Sequence, residues 1–300
     1  MTNNWVLCDD AVGKDCCVTV CKDATAWERI EPNMIYNRLD LIREEPSELL
    51  QVNVNGKMLY IPCCVVDNTA ILGIWGTCLS MAQVQAVAQH IFARRSDVVA
   101  VSSRRVDLVN APETFQRVND FHIVLPDDPA ELDQRVSSKM RYNLRREHRL
   151  VEKAYGAFSV DECRVEDAEA EHLFEQYFSM KRVTHGREYG MTMDEYIRTY
   201  YVSTIYTLRF GGRVAAIVLS CEQGSSVYLE NLTYDTAFAK LSPGSLLYNL
   251  YLKRLAEKGK RSLYLKGGSL AYKYHYGSIE QWLSTFKIYR NADVVGQDTF

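Results

Sequence analysis

Ile205-Tyr-Thr-Leu-Arg-Phe-Gly-Gly-Arg-Val-Ala-Ala-Ile-Val-Leu-Ser-Cys221 consists of two apolar runs hinged on a glycine pair. Such runs around Gly211-Gly212 spell a β-hairpin, because glycine accepts the positive φ of a tight turn. A third run, Ser226 to Thr233, follows a second turn at Gln223-Gly224. Ser242-Pro-Gly-Ser245 then opens a helix ending near Gly259, with Ser242 suited to the N-cap and Pro243 to the first helical position. Ser262 to Leu265 returns as a short strand. Strands, a crossover helix and a further strand predict an α/β (α+β) fold whose mixed sheet is mostly antiparallel.

Upstream, residues 157–165 read as a strand and Val165 to about Val183 as a helix. His185 to Gly190 is a polar loop, and Thr192 caps a helix through Tyr200. Pro126-Asp-Asp-Pro129 marks the domain boundary, giving domains 1–126 and 127–300. Asp128 and Pro129 suit the N-cap and first turn of a linking helix reaching about Ala154, with Leu132, Val136, Met140 and Leu144 as its buried stripe. The rest of that helix is basic. A run of charge serves equally as a solvated face, or Arg141, Arg145 and Arg149, at i, i+4 and i+8, grip a phosphate-bearing ligand.

The first half repeats this order of elements. Gln51-Val-Asn-Val54, Asn55-Gly56 and Met58 to Val66 form a hairpin, and Ala70 to Trp75 a third strand. Ser80 caps a helix to about Arg95, and Val98 to Val101 and Phe121 to Leu125 are further strands. Thr25-Ala-Trp-Glu28 resembles a capping box, and 35–42 is helix or loop. The halves share element order and not residues, which predicts a duplicated domain.

Composition narrows the function classes. Hydrophobic content of 47% and charged content of 24% are ordinary for a globular chain of 300 residues. A net charge of -3 argues against a general binder of nucleic acid or anionic membrane. No apolar run is long enough to span a membrane and no secretory signal opens the chain, so a cytoplasmic location is expected. Nine cysteines without a CxxC pair read as reduced structural thiols, with no metal site. The oligomeric state is not legible.

The chemistry is expected at Leu263-Tyr-Leu-Lys-Gly-Gly-Ser-Leu-Ala-Tyr-Lys-Tyr-His-Tyr-Gly277. Gly267 and Gly268 allow close approach of a ligand, and Tyr272, Lys273, His275 and Tyr276 follow with a cation, an imidazole and phenols. The same residues suit a half-buried aromatic loop.

Three motifs stand in a fixed order: Ser138-Lys-Met-Arg-Tyr-Asn-Leu-Arg-Arg146, Leu241-Ser-Pro-Gly-Ser-Leu-Leu247 and Tyr272-Lys273 with Gly277. Together they resemble the tandem branch of the GNAT acyltransferases, the FemAB-type and CelD-like proteins, over roughly residues 50–290. The resemblance implies two GNAT-like domains, the first degenerate and the second catalytic. It implies an N-acyltransferase, N-acetyltransferases included, using an acyl-CoA donor and a small-molecule amine acceptor such as an amino sugar or nucleotide-sugar. The alternatives are a FemAB-type transferase using aminoacyl-tRNA and a non-catalytic GNAT-like binding domain. By the same resemblance Lys273 polarises the reacting carbonyl and Tyr272 positions it. Glu230 is the candidate base, with His275 its rival. Ser242, Pro243, Gly244, Ser245, Gly267 and Gly268 would hold the cofactor, and Arg141, Arg145, Arg149 and Tyr276 the acceptor. CelD-like chains often carry an aspartate where this chain has Tyr264. The enzymatic reading requires Lys273 and the helix start at 242–245 to meet in one pocket.

Overall fold

The computed structural model describes residues 4–6, 16–21, 48–54, 57–73, 78–109, 115–185, 191–268 and 271–291. The expectations for 25–28, 35–42 and the 55–56 turn lie outside the described residues. The chain divides into two units, Met1–Asn119 with Gln281–Phe300, and Asp120–Glu280. The seam expected at 126/127 thus falls earlier, and the C-terminal strand goes back to the first unit.

In the first unit β1 (Asn4–Val6), β2 (Cys16–Val20), β3 (Glu48–Val54), β4 (Lys57–Val66), β5 (Thr69–Leu72) and β6 (Cys78–Ser80) lead into α1 (Met81–Arg94). β7 (Ala100–Val109) follows, starting later and running longer than its apolar core at 98–101 suggests. β2 to β5 pair antiparallel in sequence order. β5 then pairs parallel with β7, the strand direction that a helical crossover allows. α1 begins with a capping box between Ser80 and Gln83. Its Val84, Val87, Ala88, Ile91 and Phe92 are buried against the sheet, each large side chain contributing about 1.5–3 kcal/mol.

β8 (Gln116–Val124) joins the second unit from Asp120 onward. The expected linking helix is two helices, α2 (Glu131–Arg135) and α3 (Ser138–Tyr155). Val136 is extended and Ser137 caps α3 by accepting from the Met140 amide at 3.2 Å. Asp128 accepts instead from the Ala130 amide, so the predicted Asp128 cap and unbroken run to Ala154 are not what forms. A buried Val136 drives the break, since it anchors the kink in the core.

β9 (Val160–Arg164), α4 (Ala170–His185), α5 (Met193–Tyr200), β10 (Thr204–Phe210), β11 (Arg213–Gln223) and β12 (Ser226–Tyr234) follow. α4 starts later than Val165, after a turn at Asp167. A 3-10 helix (Thr236–Leu241), which the sequence reading passed over, precedes α6 (Pro243–Glu257) and β13 (Ser262–Tyr264). β14 (Ile279–Tyr289), also unforeseen, pairs antiparallel with β7 and parallel with β1 in the first unit.

Within the second unit the strands run in the order β9-β10-β11-β12-β13-β8, antiparallel except for β12 and β13. Residues Ala215 to Leu219 of β11 are buried completely, because helices cover both faces. On one face Tyr206, Val218 and Leu263 pack against Leu247, Tyr251 and Leu255 of α6, and α3 adds Leu144 and Val151. On the other, Ile205, Ile217 and Leu219 meet Phe174 and Tyr177 of α4 and Tyr196 of α5. Among the described residues no helix is long and apolar enough to cross a membrane.

Candidate functional site

The pairing of β12 with β13 ends early. Its register is Ser226↔Ser262, Val227↔Leu263 and Tyr228↔Tyr264, yet β12 continues to Tyr234. Beyond Tyr228 the strand therefore runs on without β13 beside it. At this point β12 also carries a bulge against β11, for Leu219 pairs with Asn231 and Ser220 with Leu229. The residue left over is Glu230. A bulge re-aims the extra side chain and is a recurrent device beside reactive sites.

Glu230 is not the solvent-facing strand glutamate that its residue type favours. Its side chain is wholly buried and accepts a hydrogen bond from the Lys266 ammonium, an ion pair within the second unit. Lys266 follows β13, takes φ 59° and stands 5.2 Å from the centre of the Tyr200 ring of α5. Burial also pushes the neighbouring Cys221 thiol up to about 12, with Glu230 adding to the shift. Tyr228 and Tyr264 stack at 4.9 Å beside this pair, and His122 of β8 lies 5.9 Å from Tyr264. Burial lowers the His122 imidazole from its ordinary value. Among the described residues its buried Nδ1 meets no hydrogen-bond partner. Sequence reading missed Lys266 and His122. The one signal for Lys266 was a lysine directly before the glycine pair.

Lys273 is 3% exposed and turned inward. Its ammonium donates to the carbonyls of Lys266 at 2.9 Å and Gly267 at 2.5 Å, and lies 5.8 Å from the Phe121 ring. It therefore pins the turn from which Lys266 projects. Gly268 in that turn has φ 97°, which a side chain would strain. Tyr272 is half-buried, packs edge-on to Tyr248 of α6 at 5.2 Å, and burial pushes its phenol to about 12. His275 is half-buried, and its backbone amide donates to Tyr272. Tyr276, expected to touch the acceptor, is fully buried, and its hydroxyl accepts from Asn249 at 2.9 Å. Its phenol is pushed by burial to about 12.

The start of α6 differs from an ordinary capped helix. Pro243 sits in the first turn as expected, but Ser242 is left-handed at φ 49° and makes no side-chain cap. Its side chain stands instead near the Glu147 carboxyl of α3 and favours the ionised form of that group. Burial raises the Glu147 carboxyl from its ordinary value, and Ser242 and Arg146 partly offset that. A Cβ on Gly244 would approach Leu232 Cδ2 to 3.2 Å and Tyr234 Cδ1 to 3.3 Å, so its bareness lets the helix sit on the end of β12. Ser245 is exposed. Uncapped amides in this first turn, at the positive end of a 15-residue helix, suit an anion.

A cavity of about 800 Å³ lies between α3 and α6. Arg141, Arg145, His148 and Arg149 line one wall, and Leu246, Leu250 and Lys253 the other. Arg141 is partly committed, since it donates to the carbonyls of Asp133 at 3.0 Å and Val136 at 2.6 Å. Neither Lys273 nor residues 242–245 line this cavity, so it is not the shared pocket that the sequence reading required. What links the two places is packing, with Tyr272 and Tyr276 both against Tyr248 of α6. Among the described residues no group of three or more His, Cys, Asp or Glu has the arrangement to hold a metal ion.

Residues 138–274 match the model of the acetyltransferase (GNAT) domain family. No curated protein matches the chain in sequence. Among solved structures the fold is similar to FemX, with a TM-score of 0.60 at 9% identity over 84% of this chain and 90% of that one. It is also similar to L-PGS from Bacillus licheniformis, with a TM-score of 0.51 at 12% identity over 79% of this chain and 82% of that one. A third is the C-terminal domain of a putative lysylphosphatidylglycerol synthetase from Agrobacterium fabrum, with the same TM-score of 0.51, identity of 12% and coverage of 79% and 82%. At such identities these likenesses speak for the fold alone. The stretch 138–274, which holds α3, α6 and both Glu230 and Lys273, thus matches a GNAT acetyltransferase domain, and the fold around it is similar to that of FemX.

Proposed function

We propose that the protein is an N-acyltransferase that moves an acyl group from an acyl-CoA thioester to the amine of a small molecule, in the manner of the CelD-like branch and in the cytoplasm. The observation that carries this reading is the departure of β12 from β13 directly before the bulged Glu230. An extended thioester arm fits alongside the part of β12 that β13 does not accompany, in the manner of a strand added to a sheet edge. The uncapped start of α6 receives the donor's diphosphate through its amides and dipole.

Transfer requires the amine as a free base, because an ammonium has no lone pair. Glu230 takes that proton. The nitrogen then bonds to the thioester carbon, the carbon–sulfur bond breaks with its electron pair going to sulfur, and the departing thiolate takes up the proton that the nitrogen sheds as the neutral amide forms. Lys266 balances the charge of Glu230 and points a cation toward the same place. Lys273, with two of its hydrogens on carbonyls, holds the Lys266–Gly267 turn and through it the pair. Tyr272 packs the same turn onto α6, and His275 stands as the second candidate base. An amino sugar, a nucleotide-sugar or another small metabolite satisfies the acceptor's chemistry.

The test is transfer from radiolabelled acyl-CoA to a panel of primary amines. Lys273→Ala should depress kcat with donor binding largely kept; an unchanged kcat would remove its role. The exposed arginines of α3 favour one rival, transfer from aminoacyl-tRNA, which predicts tRNA binding that weakens steeply with salt. Absence of any transfer with either donor would leave a non-catalytic binding domain.

A further inference from the structure

The cleft between α3 and α6 is cationic and directional. At one end Leu246, one turn into α6, lines the cleft, and Ser242 stands near the Glu147 carboxyl of α3 next to it. At the other end Lys253 pairs with Asp133 at 2.8 Å. The helices thus run antiparallel, and Leu246, Asn249, Leu250 and Lys253 give α6 a lining stripe about 10 Å long at roughly 1.5 Å per residue. Asp133 is the single carboxylate among the lining residues, and Lys253 already neutralises it. Near the helix start the opposing wall carries Arg145, His148 and Arg149, with both arginines exposed. The Arg149 Nε donates to the Arg145 carbonyl at 3.3 Å, a bond that does not use the two terminal nitrogens. The floor is apolar, made by Leu144, Leu246 and Leu250, and the Tyr142 ring is 61% exposed at its rim. A flat base is suited to that floor and ring, and phosphate oxygens to two guanidinium forks one helical turn apart. The volume, about 800 Å³, falls in the range of about 300–1,000 Å³ that small-molecule sites occupy.

We infer that this cleft holds the nucleotide end of the acyl donor, with Arg145 and Arg149 reading its ribose 3′-phosphate. The inference rests on the acyl-CoA reading above and assigns the arginines to the donor, where the sequence pattern alone gave them to the acceptor. The donor's diphosphate lies at the start of α6, its base and ribose continue along Leu246 and Leu250, and the ribose phosphate meets the two free forks. Arg141 is tied to two carbonyls and shapes the far end.

Isothermal titration with CoA, dephospho-CoA and pantetheine tests this on the wild-type chain and on an Arg145→Ala/Arg149→Ala double variant. Both side chains are exposed, so the variant should keep the wild-type melting temperature, and circular dichroism checks that it does. The wild type should bind CoA at least about tenfold more tightly than dephospho-CoA, the worth of a charge-assisted phosphate contact. The double variant should bind the two alike, at the affinity of dephospho-CoA. Equal binding of both ligands by the wild type would overturn the inference and leave the acyl-CoA reading standing. So would an equal loss for both ligands in the variant, which would mean a diffuse field and not a phosphate site. No CoA binding at all would sink the donor reading itself, and this inference with it. Salt-sensitive tRNA binding that the double variant loses, without discrimination between the two CoA forms, would give the arginines to a nucleic acid instead.

Discussion

The parallel strand pair of the first unit and that of the second are built by the same order of elements and end differently. β5 pairs with β7 through Ile71↔Ser102 and stops at the next residue, Leu72, whose carbonyl accepts from the buried Ser103 hydroxyl at 2.9 Å. β6 then takes a place beside β7 from Cys78↔Asp107 to Ser80↔Val109. In the second unit β12 outruns its last pairing with β13, and a bulge there presents an ionised pair. The two crossover helices repeat the contrast. α1 closes its own first turn, the Ser80 amide donating to Gln83 Oε1 at 2.7 Å and the Gln83 amide to the Ser80 hydroxyl at 3.3 Å. α6 has no such cap. The first unit closes its helix start with a side-chain cap, and the second leaves that start without one and lets β12 run past β13. The same order of elements can thus satisfy its strand end and helix start locally in one unit and leave a bulge and an uncapped helix in the other.

The sharpest way to break this contrast is Glu230→Gln. It keeps the shape and an acceptor for Lys266 while removing the base, so kcat should fall by about 10²- to 10⁴-fold with donor affinity retained. A rate within a few-fold of wild type would hand the proton transfer to another group, with His275 and His122 the next to test.

A lesser effect follows from Lys181 of α4, whose ammonium burial pushes down to about 8 from 10.5. The folded chain then binds fewer protons than the unfolded chain between those values. Stability should therefore rise with pH from about 8 to 10.5, and be lowest below 8, where the folded state must charge a buried amine. Lys181→Met should melt higher at pH 7 and lose that slope. Thermal melts across pH 7–10 that match for both chains would refute it.

Ser80→Ala removes a cap in the first unit and should cost about 1 kcal/mol in denaturant unfolding while leaving the transfer rate untouched. A parallel loss of rate would mean that the first unit's closed helix start serves the reaction after all. The smallest effect is expected at Glu147. Its carboxyl holds its proton to higher pH in the folded chain than in the unfolded one, so its contribution is most favourable in acid and falls as pH rises through the folded value. Glu147→Gln should gain slightly in melting temperature at pH 7 relative to pH 4, and a gain of the opposite sign would show that Ser242 outweighs burial.

Much of the fold was legible because it lies in local pattern. The glycines at 211–212, the caps at Ser80 and Thr192, and the alternation of Tyr206, Leu208 and Phe210 each announce an element within a few residues. The break at Val136–Ser137 was not legible, since the every-fourth stripe from Leu132 to Leu144 reads as one helix until Val136 is seen extended in the core. β14 was passed over although its burial alternates in part, because its partners β1 and β7 are far away in sequence. The site divides the same way. Glu230 and Lys273 were named from the sequence, but their surroundings were not.

By itself the sequence determined the order of strands and helices, the place of proline at the start of α6, and the stripe of arginines on α3. Those are properties of neighbours along the chain, set by φ preferences, side-chain period and capping chemistry. Tertiary structure alone decided that Lys266 meets Glu230, that Lys273 is spent on carbonyls of the turn before it, that Tyr276 is sealed under α6, and that Ser242 turns to Glu147. Such outcomes depend on a strand register that slips by one residue at a bulge and on which helix covers which face, and no local pattern encodes either.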